Sequence, residues 1–200
     1  MNRTYVHTFF VIWGLLGLLY VFVGSHALMH AIQDARAVWM DQAMLIWTKG
    51  GEVHAALIFF GLLWFMHRGQ ESWKPVRNGF LAIVLMAVVL PQGLKSIFAD
   101  FPRPWKVFPH VQDIPGLTKS FFKSFPSGHT AFATALTAGW ARLARPAYQF
   151  PIGMVVLATG VGYSRIHLHM HWLHDVLAGG ILGLGCAYLG LRLTGFRETH

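Results

Sequence analysis

The chain has 200 residues, 54 % of them hydrophobic, 14 % aromatic and 12 % charged, which is too apolar and too lightly charged for an ordinary soluble domain of this length. Its net charge of +8 is scattered in ones and twos between apolar runs, with no basic block or stripe, and this argues against nucleic acid as a partner. The single cysteine, Cys186, lies in an apolar run, so no internal disulfide forms and it reads as a small core residue.

In chain order, six apolar segments stand out: 8–24, 53–66, 79–94, 130–143, 150–163 and 176–193. A bilayer crossing takes about 20 residues, or about 17 at the short end, so several of these depend on helical flanks, the second and fifth being the weakest spans. The expected fold is all-α and forms one domain over 1–200, an integral membrane bundle of six transmembrane helices. Arg3 ahead of the first segment resembles a secretory signal, but five further apolar segments make it a retained anchor. Six crossings put both termini on one side. The sixteen Lys and Arg then divide eight against eight, with Arg3, Arg68, Lys74, Arg77, Arg142, Arg145, Arg192 and Arg197 on the terminal side. That side carries its charges in the shorter connections, which places the termini in the cytoplasm. Of the two long connections on the far side, 26–52 mixes Leu28, Ile32, Trp39 and Trp47 with Asp34, Arg36 and Asp41, the pattern of an interfacial helix. The other, 95–129, is a long periplasmic loop in which Trp105, Phe108, Phe121 and Phe122 alternate with Lys106, Lys119 and Lys123, a composition suited to headgroup depth. Gly79, Gly139, Gly160, Gly179, Gly180, Gly183, Gly185 and Gly190 read as positions of close helix packing.

Three polar clusters interrupt this apolar plan: KSIFADFPRP from Lys95 to Pro104, FPSGHT from Phe125 to Thr130, and SRIHLHMHWLHD from Ser164 to Asp175. The topology gathers all three at one rim of the bundle, and polar groups at membrane depth are costly enough to mark function. Lys95, Arg103 and Arg165 are cationic donors suited to phosphate oxygens. Ser127 and Gly128 precede a helix whose unpaired N–H groups and dipole favour an anion. His171 and Asp175, four apart, share a helix face, so the carboxylate can hold one ring nitrogen while the other attacks. His129, at the helix start, is placed to protonate a leaving alkoxide. Because phosphoryl transfer is chiefly positioning and charge neutralisation, this set needs no metal and no organic cofactor, and it predicts a phosphohistidine on His171 that water then hydrolyses.

Other readings of the same residues compete. The series His167, His169, His171 invites a metal, against which stand the surrounding cations. His167, His169 and His174 otherwise serve local hydrogen bonding, and Asp100 is expected to pair with Lys95 and Arg103. A transporter binding anionic lipids would use Lys95, Arg103 and Arg165 equally well, but would have no use for an oriented neutral imidazole.

Pro126-Ser127-Gly128-His129, and Ser164-Arg165 followed by His171 and Asp175, resemble the signature of the type 2 phosphatidic acid phosphatases, membrane relatives of vanadium haloperoxidases and bacterial acid phosphatases. The first part of the signature departs: seven residues separate Lys95 from Arg103, one more than the family carries, with Lys106 the substitute for Lys95. The resemblance implies the roles given above and a membrane-embedded lipid phosphate or diphosphate as substrate. Undecaprenyl diphosphate comes first, and phosphatidylglycerophosphate, lipid A or transfer of the phosphoryl group to another lipid are the alternatives. It further implies the bacterial inner membrane, with the site facing the periplasm or exterior.

Overall fold

The computed structural model describes residues 1–196; Arg197 of the terminal basic set lies outside them. The described residues contain helices and turns without strands. In order these are α1 (Arg3–Val23), α2 (Ser25–Asp34), α3 (Val38–Trp47), α4 (Val53–His67), α5 (Trp73–Ile97), the short α6 (Pro104–Val107), α7 (Gly128–Leu143), α8 (Pro151–His167) and α9 (Leu173–Leu193), with 3-10 turns at Thr48–Gly51 and Pro146–Tyr148.

The six apolar segments correspond to α1, α4, α5, α7, α8 and α9. Three of these, α1, α5 and α9, are long and apolar enough to cross a membrane, and a fourth crossing arises if α3 with its 3-10 turn and α4, bent by 59°, are one span. The others fall short for an understandable reason. α7, 16 residues long, is buried along nearly its whole length, so it meets protein on all sides and its Thr and Ala residues need not satisfy lipid. The outer helices do the opposite. Phe10, Val11, Leu15 and Phe22 of α1, with Leu57 of α4 and Leu85 of α5, are large apolar side chains left exposed, an apolar surface that suits a bilayer and not water.

α1 shows how the local sequence sets this up. Asn2 accepts from the Tyr5 amide at 3.1 Å and caps the helix, while Tyr5, Phe9 and Trp13, four apart, form its one buried stripe. The Tyr5 hydroxyl meets Thr137 Oγ1 at 2.9 Å and so ties α1 to the central helix.

The glycines of α9 let it lie directly on α7. A Cβ at Gly179 would lie 2.5 Å from the Ser127 carbonyl oxygen, one at Gly183 would lie 2.2 Å from that of Ala131, and one at Gly180 would strike the Trp13 ring at 2.1 Å. Gly185 differs from the expectation, since nothing lies within 4 Å of it. A paired experiment follows from this contrast. Gly183→Ala should lower the melting midpoint in detergent by several degrees or prevent folding, because the obstruction is backbone. Gly185→Ala should match or exceed wild type, since Ala is favoured over Gly in a helix by roughly 0.5–1 kcal/mol.

Two expectations for the connections need correction. The segment 26–52 forms two helices, α2 and α3, broken at Ala35–Ala37, rather than one interfacial helix. Trp105 is not a headgroup anchor: it is buried, its Nε1 donates to the Leu168 carbonyl at 2.9 Å, and it packs with Val111, Ile114, Leu168 and Met170. The loop folds back on itself, with Lys123 N bonded to Ala99 O at 3.1 Å and Arg103 N to Phe121 O at 2.9 Å. It therefore forms a small core of its own over the α8–α9 connection.

Candidate active site

The three clusters meet at one end of the bundle. His171 sits in the link between α8 and α9, whose backbone is pinned because the amides of Met170 and His171 both donate to the Arg165 carbonyl, at 3.0 and 3.1 Å. Asp175 opens α9, where its charge is favoured by the helix N-terminus. Its Oδ2 accepts from Ser124 Oγ at 2.5 Å and from the Trp172 amide at 2.9 Å. His171 Nδ1 lies 3.4 Å from the same oxygen without completing a hydrogen bond, a geometry that commonly tightens only when substrate binds. The Asp175 carbonyl accepts from the Ser127 amide at 3.0 Å, which joins the second cluster to the third.

Burial sets the protonation state of the nucleophile. His171 is 1 % exposed, and desolvation, which outweighs the nearby Asp175 and is aided by Arg103 and Arg165, pushes its pKa down to about 3. The imidazole is neutral at physiological pH.

Around it Arg103 and Arg165 are held by neutral groups, and among the described residues neither forms an ion pair, which leaves both available to an incoming anion. Arg103 donates through Nε to the Phe122 carbonyl at 2.8 Å, through Nη1 to that of Met170 at 3.1 Å and through Nη2 to that of Lys123 at 3.2 Å. This corrects the expected pairing with Asp100, which is exposed and, among the described residues, forms no salt bridge with either cation. Arg165 is held through Nη1 by Thr48 Oγ1 at 2.9 Å, while its buried Nε has no partner. Lys95 reaches the start of α7, where a Cβ at Gly128 would lie 3.5 Å from Nζ, in ordinary contact, so the ammonium stands beside the first turn of that helix. Lys106 is exposed and lies over the Phe122 ring at 5.8 Å, so it does not replace Lys95. Ser127 Oγ is occupied in capping α7, with Thr130 Oγ1 at 2.8 Å and Thr130 N at 3.4 Å. The donors left for an anion at this helix start are the amides of Gly128 and His129. The charges of Lys95, Arg103 and Arg165 all act on His129, so the predicted residues share one field.

A cavity of about 440 Å³ adjoins this centre, with Glu52, Lys95 and His129 at its polar end and Ala87, Val88, Pro91 and Phe132 among its apolar lining. His167 and His169 lie elsewhere. His167 Nε2 meets Asp41 Oδ1 at 2.9 Å, Asp41 pairs with Arg36 at 3.0 Å, and His169 Nδ1 donates to the His167 carbonyl at 3.0 Å. Burial pushes the His169 imidazole down to about 4. His174 contacts Ser25 Oγ at 3.3 Å and approaches Asp175 Oδ1 at 3.2 Å. Reasoning from sequence missed Thr48, Glu52 and Ser124. The available signal for the first two was TKGGE, a polar Gly-Gly turn directly before an apolar segment.

The family model described as the PAP2 superfamily matches residues 77–198, which contain every predicted site residue. The chain belongs to the PAP2 superfamily. The phosphatases of the PAP2 family are hydrolases of phosphate esters, and this chain belongs with the membrane lipid phosphatases among them. It is 34 % identical over 148 residues to the undecaprenyl-diphosphatase of Sulfolobus acidocaldarius, covering 66 % of this chain and 69 % of that one. To phosphatidylglycerophosphatase B of Escherichia coli K12 it is 29 % identical over 189 residues, covering 73 % and 70 %. Two solved PAP2-type structures share the fold. They are LpxE of Aquifex aeolicus (TM-score 0.66, 24 % identity, 86 % of this chain and 96 % of that one) and a phosphatidylglycerolphosphate phosphatase of Bacillus subtilis (TM-score 0.64, 22 % identity, all of both chains).

Proposed function

We propose that the protein removes a terminal phosphate from a membrane lipid phosphate or diphosphate through a phosphohistidine on His171, without a metal. The observation that carries this is the cavity. Its polar end, at Lys95 and His129, continues into an apolar wall from α5 and Phe132, a shape suited to a molecule with an anionic head and a hydrocarbon tail. In this reading Lys95, Arg103, Arg165 and the Gly128 and His129 amides hold the phosphoryl group, with Ser127 shaping the helix start. Asp175 orients His171, and His129 protonates the leaving oxygen. The three side-chain cations neutralise the charge that a metal would otherwise neutralise.

Undecaprenyl diphosphate is the first substrate, supported by the relative of that name and by a cationic cluster able to meet two phosphates; phosphatidylglycerophosphate is the second, supported by the Escherichia coli relative. We place the protein in a bacterial inner membrane, with α1, α4, α5, α7, α8 and α9 as six crossings of a single domain, the termini in the cytoplasm and the site at the periplasmic or exterior face.

The test is phosphate release in detergent and EDTA from undecaprenyl diphosphate, phosphatidylglycerophosphate, phosphatidic acid and lipid A. Release from one member with full activity in EDTA is the expected result. A requirement for a divalent ion would overturn the metal-free mechanism, and no release from any of the four would overturn hydrolysis in favour of phosphotransfer or anion binding.

A further inference from the structure

We infer that Glu52 is a positioning residue for the acid: its carboxylate pairs with His129 and holds that imidazole ready, as a charged donor, to protonate the leaving lipid oxygen. The inference rests on the reading of His129 as general acid, and it extends the site to a segment outside the three clusters.

Four observations carry it. Glu52 Oε1 lies 3.9 Å from His129 Nε2, and among the described residues no other carboxylate stands within ion-pair range of His129. Both side chains line the same cavity. The approach is built into the backbone, since a Cβ at Gly51 would lie 2.8 Å from both Cβ and the carbonyl oxygen of His129. Only glycine lets the turn press against the start of α7. Finally, Glu52 occupies the N-cap position of α4 yet makes no capping hydrogen bond with its side chain, so the carboxylate is not used where caps usually act. The same turn supplies Thr48 to Arg165 at 2.9 Å. One five-residue stretch therefore steadies both a phosphate ligand and the acid.

The electrostatics give this contact its meaning. The partial burial of His129 and the cations facing it, Arg165 from α8, Lys95 from α5 and Arg103 from the loop, oppose a further positive charge there. An acid in that position must nevertheless carry a proton when the ester bond breaks. A carboxylate at ion-pair distance and only 27 % exposed favours the imidazolium. Lys49, which also pairs with Glu52 at 3.2 Å, is itself 68 % exposed and is too well solvated to neutralise it. In the first step His171 bonds to phosphorus as the phosphorus–oxygen bond to the lipid breaks, and its electron pair leaves on the lipid oxygen, which takes the His129 proton. In the second step water attacks phosphorus, His171 departs, and the proton of that water returns to His129. Glu52 remains a carboxylate throughout.

An acid matters most for a poor leaving group, and a residue that only supports the fold would not discriminate between leaving groups. The experiment therefore compares kcat/KM on didecanoyl phosphatidic acid, whose leaving oxygen is an alkoxide, with kcat/KM on p-nitrophenyl phosphate, whose leaving oxygen is an activated phenoxide, because the second step is common to both substrates. It uses wild type, Glu52→Gln, Glu52→Asp, His129→Gln and the double variant Glu52→Gln/His129→Gln, with melting midpoints measured on each. Since general acids contribute about 10² to 10⁴ in rate, the expected result is that Glu52→Gln lowers the alkyl-to-aryl kcat/KM ratio by about tenfold or more and that Glu52→Asp restores part of it. The double variant should fall no further than His129→Gln alone, as expected for residues acting as a unit. If His129→Gln lowers the ratio and Glu52→Gln does not, the role of Glu52 is overturned while the acid stands. If His129→Gln leaves the ratio unchanged, the acid assignment falls and the role of Glu52 falls with it.

Discussion

Phosphate release from the preferred lipid falls by about 10⁴-fold or more in His171→Ala, the scale expected when a covalent nucleophile is lost, while the protein still elutes as a folded species in detergent. The retained fold is expected because the link carrying His171 is pinned by backbone bonds to the Arg165 carbonyl and Asp175 keeps Ser124 and Trp172 as partners. Rapid quench of the wild type should trap an acid-labile phosphoryl adduct that the variant lacks. Wild-type turnover in His171→Ala would rule the mechanism out. The pH dependence has a definite sign. An ordinary imidazole near 6.5 would lose its nucleophilic form as pH falls through 6, but desolvation holds His171 down to about 3. Protonation of His171 therefore does not limit kcat/KM of the free enzyme between pH 5 and neutrality, and the nucleophile is lost only as pH approaches 3.

Arg165→Ala gives the second large effect, a drop of about 10² to 10³ in kcat/KM, comparable to removing one preorganised donor from a charge-stabilising site. Both parameters should move. KM rises because a cation that meets the ground-state phosphate is gone, and kcat falls because charge on the transferring oxygens is less well met. Arg165→Lys should recover only part of this. Arg165 is buried, fixed through Nη1 by Thr48 and left with an unpartnered Nε, and lysine offers neither the fork nor that second donor. A change confined to KM would show that Arg165 binds substrate without assisting transfer.

Much of the site was legible because its parts are local. His171 and Asp175 are four residues apart and Ser127 stands just before α7, so spacing identified an orienter and a helix start, although His171 lies in the link before α9 and does not share its helix face as expected. The residues that support them could not be found this way. Ser124 carries no periodicity or motif, and the TKGGE turn that holds Thr48 and Glu52 does not reveal what it packs against. These residues matter because an inter-helix turn rests against the start of α7 and because the long loop returns over the α8–α9 link. The same holds for the error at Asp100, where nearness in sequence suggested an ion pair and the folded loop offered Arg103 three carbonyls instead.

The fold divides in the same manner. Apolar composition and run length by themselves determined an all-helical membrane protein and the approximate position of its six long helices, because the cost of unsatisfied backbone in lipid leaves helices as the solution for such runs. Tertiary structure decided which of those helices faces protein and which faces lipid. α7 is central because the glycine face of α9 can approach its backbone, and a helix enclosed in this way no longer needs the length or hydropathy of a lipid-facing span. It also decided where the charges point: the cations acquire their common field only when three separate segments are packed against one another, a long-range arrangement to which local sequence patterns are blind.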